Sequence, residues 1–406
     1  MSFLVAGAAL LVLYGVCRLL NMSSTSSQPA LHYRPDSELI QSILAACPIF
    51  LQTYVPPLLW GKSGHIQTII YGKLGRVKPP FLKGKRERAL MKDGATLTYD
   101  IFESIRSHPT GGDYTLLVCP GISNSSESSY ICTFVDYALE HGFRVVVQNH
   151  LGAMKSVKLT APRMNTYGCT GEFHLMTLRI KETYPRTKLI AVGFSMGANV
   201  VTKYMGEDAK HQENFLAAMS ICQGYDLSRA IPFLMSWSHL RRCYFYAMTV
   251  HQHSLLRCHH DELFNEEATK RYGHLDVPQI YKTTSLVALD NLYSKKRHGF
   301  EKLKDFYTWC SSANFINNIT LPMLILNSED DPLVPPDLHD VPKSYVAEHK
   351  NALFVVTKHG GHLGFFEHGL VKPDRITWLD RAVLQFANAV VSLCDIRADQ
   401  GNPQAI

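Results

Sequence analysis

The sequence predicts an α/β protein with a mostly parallel sheet flanked by helices. Apolar runs of strand length alternate with amphipathic helical stretches from about residue 88 to 226, and the alternation resumes near residue 321. A long stretch without strand-like runs separates the two regions. This alternation indicates βαβ units and therefore parallel strands. A chain of 406 residues with 46% hydrophobic side chains is long enough for one large domain carrying an insertion.

Residues 1–20 predict a transmembrane signal-anchor. The run from Phe3 to Leu20 is apolar and carries a single charge, Arg18, near its end. At about 1.5 Å per residue, such a helix spans roughly the thickness of a bilayer core, with the arginine reaching the interface. A cleaved signal peptide is the alternative. Signal peptides require basic residues before the apolar run, and this sequence has none there.

Residues 21–85 predict a tether followed by an irregular N-terminal wrap. The segment "SSTSSQPA" consists mainly of small polar residues, which is typical of a flexible linker. Several prolines interrupt the remainder of this region, so we expect no long regular element there.

Residues 86–226 predict the first part of the α/β core. It begins with a hairpin in "RALMKDGATLTYDIF", where two strand-like runs flank Asp93-Gly94. Helical stretches then alternate with strands, and Gly142 and Pro185 stand where the first two helices end. The predicted elements, in order, are the strand "YTLLVCPG", the helix "SYICTFVDYALEHG", the strand "FRVVVQNHLG", the helix "TGEFHLMTLRIKETYP", the strand and helix of "KLIAVGFSMGANVV", and the strand "FLAAMSICQG".

The alternation of strands and helices stops after Asp226. Residues 227–320 are rich in aromatic residues and histidine and have a helical pattern, which predicts a helical lid insertion. Residues 321–395 predict the second part of the core, with strands in "LPMLILN" and "NALFVVTKHGG". A last helix at about 374–393 has Leu379, Val383 and Phe386 on one face. Residues 396–406 form the predicted tail.

The segment "GFSMG" predicts a nucleophile elbow. A serine hydroxyl is a weak nucleophile and must be presented to a base, and a sharp strand-to-helix turn lifts Ser195 above the sheet edge. The strand and the helix then pass close together, so a Cβ at either flank would clash, which explains Gly193 and Gly197. The free N–H groups at the helix start also point at the oxyanion that such a reaction forms.

An elbow of this kind requires an acid and a base that follow later strands. Asp330 and Asp331 come directly after "LPMLILN", and Asp331 precedes the Pro-Leu-Val-Pro run that is usual after this acid. We therefore predict Asp331 as the acid, whereas Asp330 fits a solvated acidic turn. His359 and His362 follow the next strand. We predict His362 as the base, because two glycines precede it on a loop.

The oxyanion hole should take one N–H from the residue after the nucleophile, which is Met196. The second N–H should come from the loop after an early strand. Ile122 follows Pro120-Gly121 in such a loop and is the predicted second donor. An ordinary Pro-Gly turn is the alternative interpretation of this loop.

Other chemistries are not supported by the sequence. Gly61-Lys62-Ser63 resembles the end of a phosphate-binding loop, but Pro56 stands where that loop needs a glycine. The segment "HQHSLLRCHH" concentrates histidines, yet its spacing fits no common zinc site, so we predict no metal and no cofactor. The net charge of +6 comes without a block of basic and aromatic residues, so no nucleic-acid partner is expected.

Several motifs together resemble the abhydrolase domain-containing proteins of the AB hydrolase 4 family. The likeness runs from about residue 3 to about residue 393. The motifs that carry it are "WGKSGHIQT", "IYGKLGRV", "PRMNTYGCTGEF", "GFSMGANVV", "DDPLVP" and "HGGHLGFFE".

This resemblance implies an α/β-hydrolase fold with a single N-terminal anchor, and ester hydrolysis of acylglycerols. It places the catalytic triad on Ser195, Asp331 and His362, and a glycosylation site on Asn124. A further acceptor sequence for glycosylation occurs at Asn318. It also implies a type II membrane protein of the plasma membrane or secretory pathway, whereas the basic residues that follow the anchor favour a cytosolic domain.

The sequence therefore predicts a membrane-anchored serine hydrolase that acts on a lipid ester. The resemblance alone narrows the substrate to monoacylglycerol, which would be cleaved to a free fatty acid and glycerol. The alternatives are hydrolysis of a phospholipid or a short-chain ester, acyl transfer to an alcohol, and a non-catalytic lipid-binding receptor or scaffold. The expected partners are a lipid ester substrate and membrane lipid.

Overall fold

The computed structural model describes residues 2–71 and 84–399. Residue 1, the stretch 72–83 of the predicted wrap, and residues 400–406 of the predicted tail lie outside the described residues.

The core of the protein is a nine-stranded sheet in the order β1-β9-β8-β7-β6-β4-β5-β3-β2. The six strands from β9 to β5 in that order are parallel, and β1, β2 and β3 pair antiparallel at the two edges. The prediction of a mostly parallel sheet is therefore confirmed. The strands are β1 (Ala30–His32), β2 (Lys85–Leu90), β3 (Thr96–Phe102), β4 (Tyr114–Cys119), β5 (Arg144–Asn149), β6 (Lys188–Phe194), β7 (Phe215–Ile221), β8 (Met323–Ser328) and β9 (Ala352–Thr357).

Helices cover both faces of this sheet. In chain order they are α1 (Ser2–Leu19), α2 (Glu38–Ala46), α3 (Gly64–Tyr71), α4 (Ser129–Glu140), α5 (Gly171–Thr183), α6 (Met196–Glu207), α7 (Ala209–Gln212), α8 (Leu227–Met235), α9 (Arg241–Cys258), α10 (His260–Leu263), α11 (Glu266–Tyr272), α12 (Val277–Tyr281), α13 (Leu286–Leu289), α14 (Lys295–Arg297), α15 (Leu303–Cys310), α16 (Asp340–Glu348) and α17 (Trp378–Asp399). A π-helical turn, Asp290–Ser294, joins α13 to α14.

The sheet is buried on both faces, because every residue of β4, β8 and β9 is buried. One face packs on apolar side chains of α2, α4 and α17, and the other packs on those of α5, α6 and α16. Two-sided burial explains why these strands are continuous apolar runs in the sequence rather than alternating ones.

The chain between β7 and β8 is helical and contains α8 to α15. It has an apolar cluster of its own, which includes Phe245, Leu255, Leu263 and Ile280 and also contacts Leu151 of the core. The insertion therefore packs as a layer over the carboxyl ends of strands β4 to β8.

The N-terminal segment predicted as an anchor forms α1, and most of its described side chains are exposed. In the part of the chain that the structure describes, no helix combines the length and the apolar character that crossing a membrane requires. The predicted transmembrane anchor is therefore not supported by the structure.

The segment predicted as a flexible tether lies on the surface of the domain. The Asn21 side chain donates to the Lys62 carbonyl at 3.0 Å, and Lys62 Nζ donates to the Ser24 carbonyl at 2.6 Å. Ser27 then forms a β-bridge with Tyr54. Small polar residues have enough donors and acceptors to bind along a polar surface. A segment bound in this way and a free linker have the same composition, so composition alone cannot distinguish them.

Candidate active site

Ser195 lies at the sharp turn between β6 and α6. Its backbone has φ 53° and ψ −119°, a conformation that residues other than glycine rarely adopt. The turn is fixed from both sides, because the Ser195 N–H donates to the Ile221 carbonyl at 2.8 Å and its carbonyl accepts from Ala198 at 2.9 Å. The strained turn holds the hydroxyl above the ends of the parallel strands.

The two glycines that flank this serine are required by close backbone contacts. A Cβ on Gly193 would lie 2.4 Å from the Cα atom of Ala198, and a Cβ on Gly197 would lie 2.0 Å from the Cys119 carbonyl oxygen. The neighbouring atoms are backbone and cannot move aside cheaply. The close approach that the sequence pattern predicted is therefore present, and it involves the loop after β4 as well as the helix.

The structure brings Ser195, His362 and Asp331 into one hydrogen-bonded chain. His362 Nε2 lies 2.8 Å from Ser195 Oγ, and His362 Nδ1 lies 2.8 Å from Asp331 Oδ2. Both partners of the serine are buried. This arrangement suits a base that accepts the serine proton on one ring nitrogen while a carboxylate holds the other.

Asp331 is held in place by the turn that follows it. Its second oxygen, Oδ1, accepts the N–H groups of Leu333 at 2.7 Å and Val334 at 3.0 Å. Each carboxylate oxygen therefore has its own partners, and Oδ2 remains directed at the histidine. The Pro-Leu-Val-Pro run matters because it supplies these two donors.

The loop that carries His362 is shaped by glycines and rests on α3. Gly361 has φ 55°, and a Cβ on it would lie 2.3 Å from the Gly64 carbonyl oxygen. The His362 N–H donates to Thr68 Oγ1 at 2.8 Å. Gln67, which lies on the same helix, accepts the N–H of Phe366 on its Oε1 atom at 2.8 Å. The segment "WGKSGHIQT" therefore supports the histidine loop. Sequence reasoning missed this role, because it used the segment only to exclude nucleotide binding and as a motif of the family resemblance.

Asp330 differs from its prediction as a solvated acidic turn. Its Oδ1 accepts the Gly361 N–H at 2.8 Å, and its Oδ2 lies 3.5 Å from His359 Nδ1. His359 Nε2 in turn lies 3.1 Å from Ser24 Oγ. The alternative acid and base thus form a separate pair, which connects the tether to the histidine loop and does not reach Ser195.

The predicted oxyanion donors flank the nucleophile. Ile122 and Met196 both border the pocket that contains Ser195. Among the described residues, no protein acceptor takes a hydrogen bond from the backbone N–H of Ile122 or of Met196. Both groups are therefore free to donate to an oxyanion, which an oxyanion hole requires. The loop of Ile122 is held by two side chains, since Tyr130 Oη accepts the Gly121 N–H and His150 Nε2 donates to the Pro120 carbonyl, both at 2.9 Å.

An apolar pocket opens beside the serine, and we call it the outer chamber. It measures about 610 Å³ including the space at its mouth. The segment between β7 and β8 contributes Leu227, Ala230, Leu234 and Met248 to its wall, and Val334, which packs with Ala230, also lines it. A chamber of this composition suits a hydrocarbon chain attached to the reacting carbonyl.

Asn199 connects the insertion to the nucleophile helix. Its side-chain amide donates to the carbonyls of Tyr167 and Cys310 at 2.9 and 2.8 Å, and its oxygen accepts the Ser312 N–H at 3.0 Å. The residue lies one turn after the elbow and borders the outer chamber. Sequence reasoning missed this role, although the asparagine occurs within "GFSMGANVV".

Among the described residues, Cys222, Asp331 and His362 lie close enough together to hold a metal ion. Both ring nitrogens of that histidine already face Ser195 and Asp331, so we interpret the cluster as part of the hydrogen-bonded chain. The histidines of "HQHSLLRCHH" have separate partners, such as Thr283 for His253. The absence of a metal stays a prediction.

The predicted glycosylation residues both use their side-chain amides within the protein. The Asn124 amide donates to the Ile122 carbonyl at 2.9 Å, and the Asn318 amide donates to the Gly206 carbonyl at 2.9 Å. Glycosylation at either residue stays a prediction.

Known proteins resemble this chain in sequence or in structure. A family model described as alpha/beta hydrolase fold matches residues 114–254. Among solved structures, an esterase from Pyrococcus furiosus matches with 16% identity and a TM-score of 0.45, covering 71% of this chain and 87% of the esterase. The sheet order, the elbow and the family model together define the chain as an α/β hydrolase.

Closer relatives narrow this class to one family. Monoacylglycerol lipase ABHD2 from Mus musculus is 44% identical over 381 residues, which is 93% of this chain and 89% of the relative. Abhydrolase domain-containing protein 2 from Drosophila melanogaster is 38% identical over 380 residues, 93% of this chain and 94% of the relative. The chain belongs to the family of abhydrolase domain-containing protein 2.

Proposed function

We propose that this protein is a serine esterase that hydrolyses monoacylglycerol to a fatty acid and glycerol. The observation that carries the proposal is the chain of two 2.8 Å contacts from Ser195 through His362 to Asp331. The substrate class is supported by the relatives that are named monoacylglycerol lipase.

In the proposed reaction, Ser195 Oγ attacks the ester carbonyl while His362 Nε2 accepts its proton. Asp331 holds the imidazole in the tautomer whose Nε2 is free, and it stabilises the imidazolium that forms. The N–H groups of Met196 and Ile122 stabilise the oxyanion. The imidazolium then protonates the leaving alkoxide, and a water activated by the same histidine hydrolyses the acyl-enzyme.

The outer chamber supports a lipidic acyl group. Its wall includes several aliphatic side chains, among them Leu227, Leu234 and Met248, and burial of each CH₂ of an acyl chain contributes about 0.8 kcal/mol. A phospholipid or short-chain ester substrate, and acyl transfer to an alcohol, are alternatives that share the same acyl-enzyme. They differ only in the alcohol that leaves or accepts, so a substrate panel separates them.

Helix α1 is the proposed attachment to lipid. Large apolar side chains such as Leu10, Leu11, Val12 and Leu13 are exposed on consecutive positions, so the helix is apolar on all sides. A helix of this kind needs an apolar environment around it. The single-pass type II arrangement and the cell compartment stay predictions.

An active-site label combined with a lipid panel tests the proposal. A fluorophosphonate should label wild-type protein and fail to label Ser195→Ala, and wild-type protein should release fatty acid from monoacylglycerol. Labelling without release from any acylglycerol, together with release from a phospholipid, would replace the proposed substrate. Equal labelling of the two proteins would contradict the nucleophile.

A further inference from the structure

A second cavity, which we call the inner chamber, lies next to the outer chamber. It measures about 700 Å³ including the space at its mouth. Ile122, Met196 and Tyr167 border both chambers. Because Ile122 and Met196 are the proposed oxyanion donors, the two chambers meet beside the position that the substrate carbonyl would occupy. A substrate held at Ser195 can therefore reach both.

The inner chamber has an unusual polar wall. Within the described part of the chain, both side-chain atoms of Asn165 are buried without a hydrogen-bond partner, and Tyr293 Oη and Arg297 Nε are buried with no well-formed hydrogen bond. All three residues border this chamber, and Tyr293 and Arg297 also interact with each other. Tyr293 and Arg297 are only 6% and 5% exposed. Buried polar groups nearly always have partners, so the free amide of Asn165, beside Tyr293 and Arg297, leaves hydrogen-bonding capacity that a ligand in this chamber can use.

The chemistry of these atoms indicates what the ligand carries. Asn165 Nδ2 and Arg297 Nε are donors, Asn165 Oδ1 is an acceptor, and the Tyr293 hydroxyl can be either. A hydroxyl group both donates and accepts, so a pair of neighbouring hydroxyls can satisfy all of them. A phosphate only accepts and would leave Asn165 Oδ1 unpaired. The carboxyl group of Asp290, on the same wall, further disfavours an anion.

Arg297 does not by itself require an anionic ligand. Its terminal nitrogens donate to the carbonyls of Leu263 and Ala268, and its guanidinium lies 4.8 Å from the centre of the Tyr272 ring. Backbone carbonyls and an aromatic face already stabilise this cation. The groups that lack partners are therefore best explained by a neutral ligand with several hydroxyls.

We propose that the inner chamber binds the free vicinal diol of a glyceryl ester, with the acyl chain in the outer chamber. Asn165 and Tyr293 would be specificity-determining residues that contact the glycerol hydroxyls. This proposal rests on the proposed ester hydrolysis at Ser195, and it assigns the alcohol side of the same site.

The test compares three esters with one acyl chain: 1-octanoylglycerol, ethyl octanoate and 1-octanoylglycerol 3-phosphate. We expect wild-type protein to prefer the glyceryl ester over the ethyl ester by at least about 10-fold in kcat/KM, since hydrogen bonds to the hydroxyls contribute about 1 kcal/mol each. Tyr293→Phe and Asn165→Leu should each lower kcat/KM about 5-fold more for the glyceryl ester than for the ethyl ester.

Thermal unfolding supplies a second readout. Asn165→Leu removes a buried polar group that has no partner, so its Tm should equal or exceed that of wild-type protein. Tyr293→Phe loses only the contact of its hydroxyl with Arg297, so its Tm should fall by no more than a few degrees. Tyr246→Phe is the matched control, because Tyr246 is exposed on α9 and borders neither chamber. It should change neither ester selectivity nor Tm.

The outcomes separate this proposal from the proposed function. Equal hydrolysis of glyceryl and ethyl esters by wild-type protein, or unchanged selectivity in both variants, would overturn the diol site and leave ester hydrolysis intact. A preference for the phosphorylated ester would overturn it in favour of an anionic head group. Failure of wild-type protein on all three esters would instead contradict the proposed function.

Discussion

The backbone N–H of His362 donates to the side-chain oxygen of Thr68 at 2.8 Å, across a separation of 294 residues. Thr68 Oγ1 donates in turn to the Gly64 carbonyl at 2.6 Å. This hydrogen bond fixes the hydroxyl so that the lone pairs of Thr68 Oγ1 face the histidine loop. The loop that carries the proposed base is therefore positioned by a short helix from the N-terminal part of the chain.

We expect Thr68→Val to lower kcat about 10-fold or more with little change in KM, because the His362 loop loses its acceptor and small displacements of a catalytic group are costly. Thr68→Ser keeps the oxygen and should restore most of the activity. Steady-state kinetics on a soluble ester measures both variants. Equal activity of the valine and serine variants would show that this hydrogen bond does not position the base.

Ser195→Ala should abolish ester hydrolysis while the protein still folds. Alanine occupies the same space and loses only the nucleophile, and removal of a triad member typically lowers the rate about 10⁴-fold or more. The measurement is kcat/KM on a monoacylglycerol, with circular dichroism to verify the fold. Turnover near the wild-type rate would refute the assignment of the nucleophile.

The two aspartates should respond differently to substitution. Asp331→Asn leaves an acceptor oxygen but favours the wrong tautomer of His362, with an expected loss of about 10⁴-fold in kcat/KM. Asp330→Asn can still accept the Gly361 N–H, so it should cost far less. Asp330→Ala removes that acceptor and should fall between the two variants.

The histidines provide the matching pair. His362→Gln should lose nearly all activity, whereas His359→Gln should retain most of it, because His359 faces Ser24 rather than Ser195. The same kinetic assay applies to all five variants. A larger loss at Asp330 or His359 than at Asp331 or His362 would show that the wrong pair has been assigned.

Asp290 should make the protein less stable as the pH rises. Burial raises the pKa of its carboxyl group from 3.8 to about 6, so between these values the folded state holds a proton that the unfolded state has released. The stabilising effect is present below pH 3.8 and is lost as the pH rises through 6. The full shift corresponds to about 3 kcal/mol, of which about 2 kcal/mol should be measurable because the Asp290 residue is only partly buried.

Asp290→Asn isolates this effect. The difference in free energy of unfolding between wild-type and variant protein, measured by urea denaturation from pH 4 to pH 8, should change by about 2 kcal/mol in favour of the variant at high pH. A difference that is independent of pH would contradict the raised pKa.

Removal of residues 2–20 should shift the protein from the membrane pellet to the supernatant, because the exposed apolar side chains of α1 are lost. The activity of the truncated protein on a soluble ester should stay close to that of the full chain. Complete retention in the pellet after an alkaline wash would show that another surface holds the membrane.

The parallel sheet could be predicted because its strands are buried on both faces and are therefore continuous apolar runs. β4, β6, β7, β8 and β9 coincide with such runs. The edge strand β1 is only three residues long and lies in a segment that has the composition of a linker. Its pairing with β9 depends on the surface that the rest of the chain provides, which local composition does not encode.

The candidate site divides in the same way. Ser195, Gly193 and Gly197 stand in one short segment whose local geometry demands them, so the pattern alone indicates an elbow. Thr68 and Asp330 act through contacts to the His362 loop, from which they are 294 and 31 residues away in sequence. Such contacts leave no periodic or compositional signal, so only the folded structure reveals them.

The segment after α1 is bound to the surface of the domain, and this affects how the domain would be oriented on a lipid surface. A free linker of this length would let the domain move about 15 Å relative to α1. The contacts of Asn21 and Ser24 prevent this movement, because they begin within a few residues of the end of α1. A lipid-embedded α1 would therefore set the height and tilt of the chamber mouths above the bilayer. Substrate would then have to reach the serine by lifting out of the lipid layer, and the packing of that layer would govern the rate of delivery.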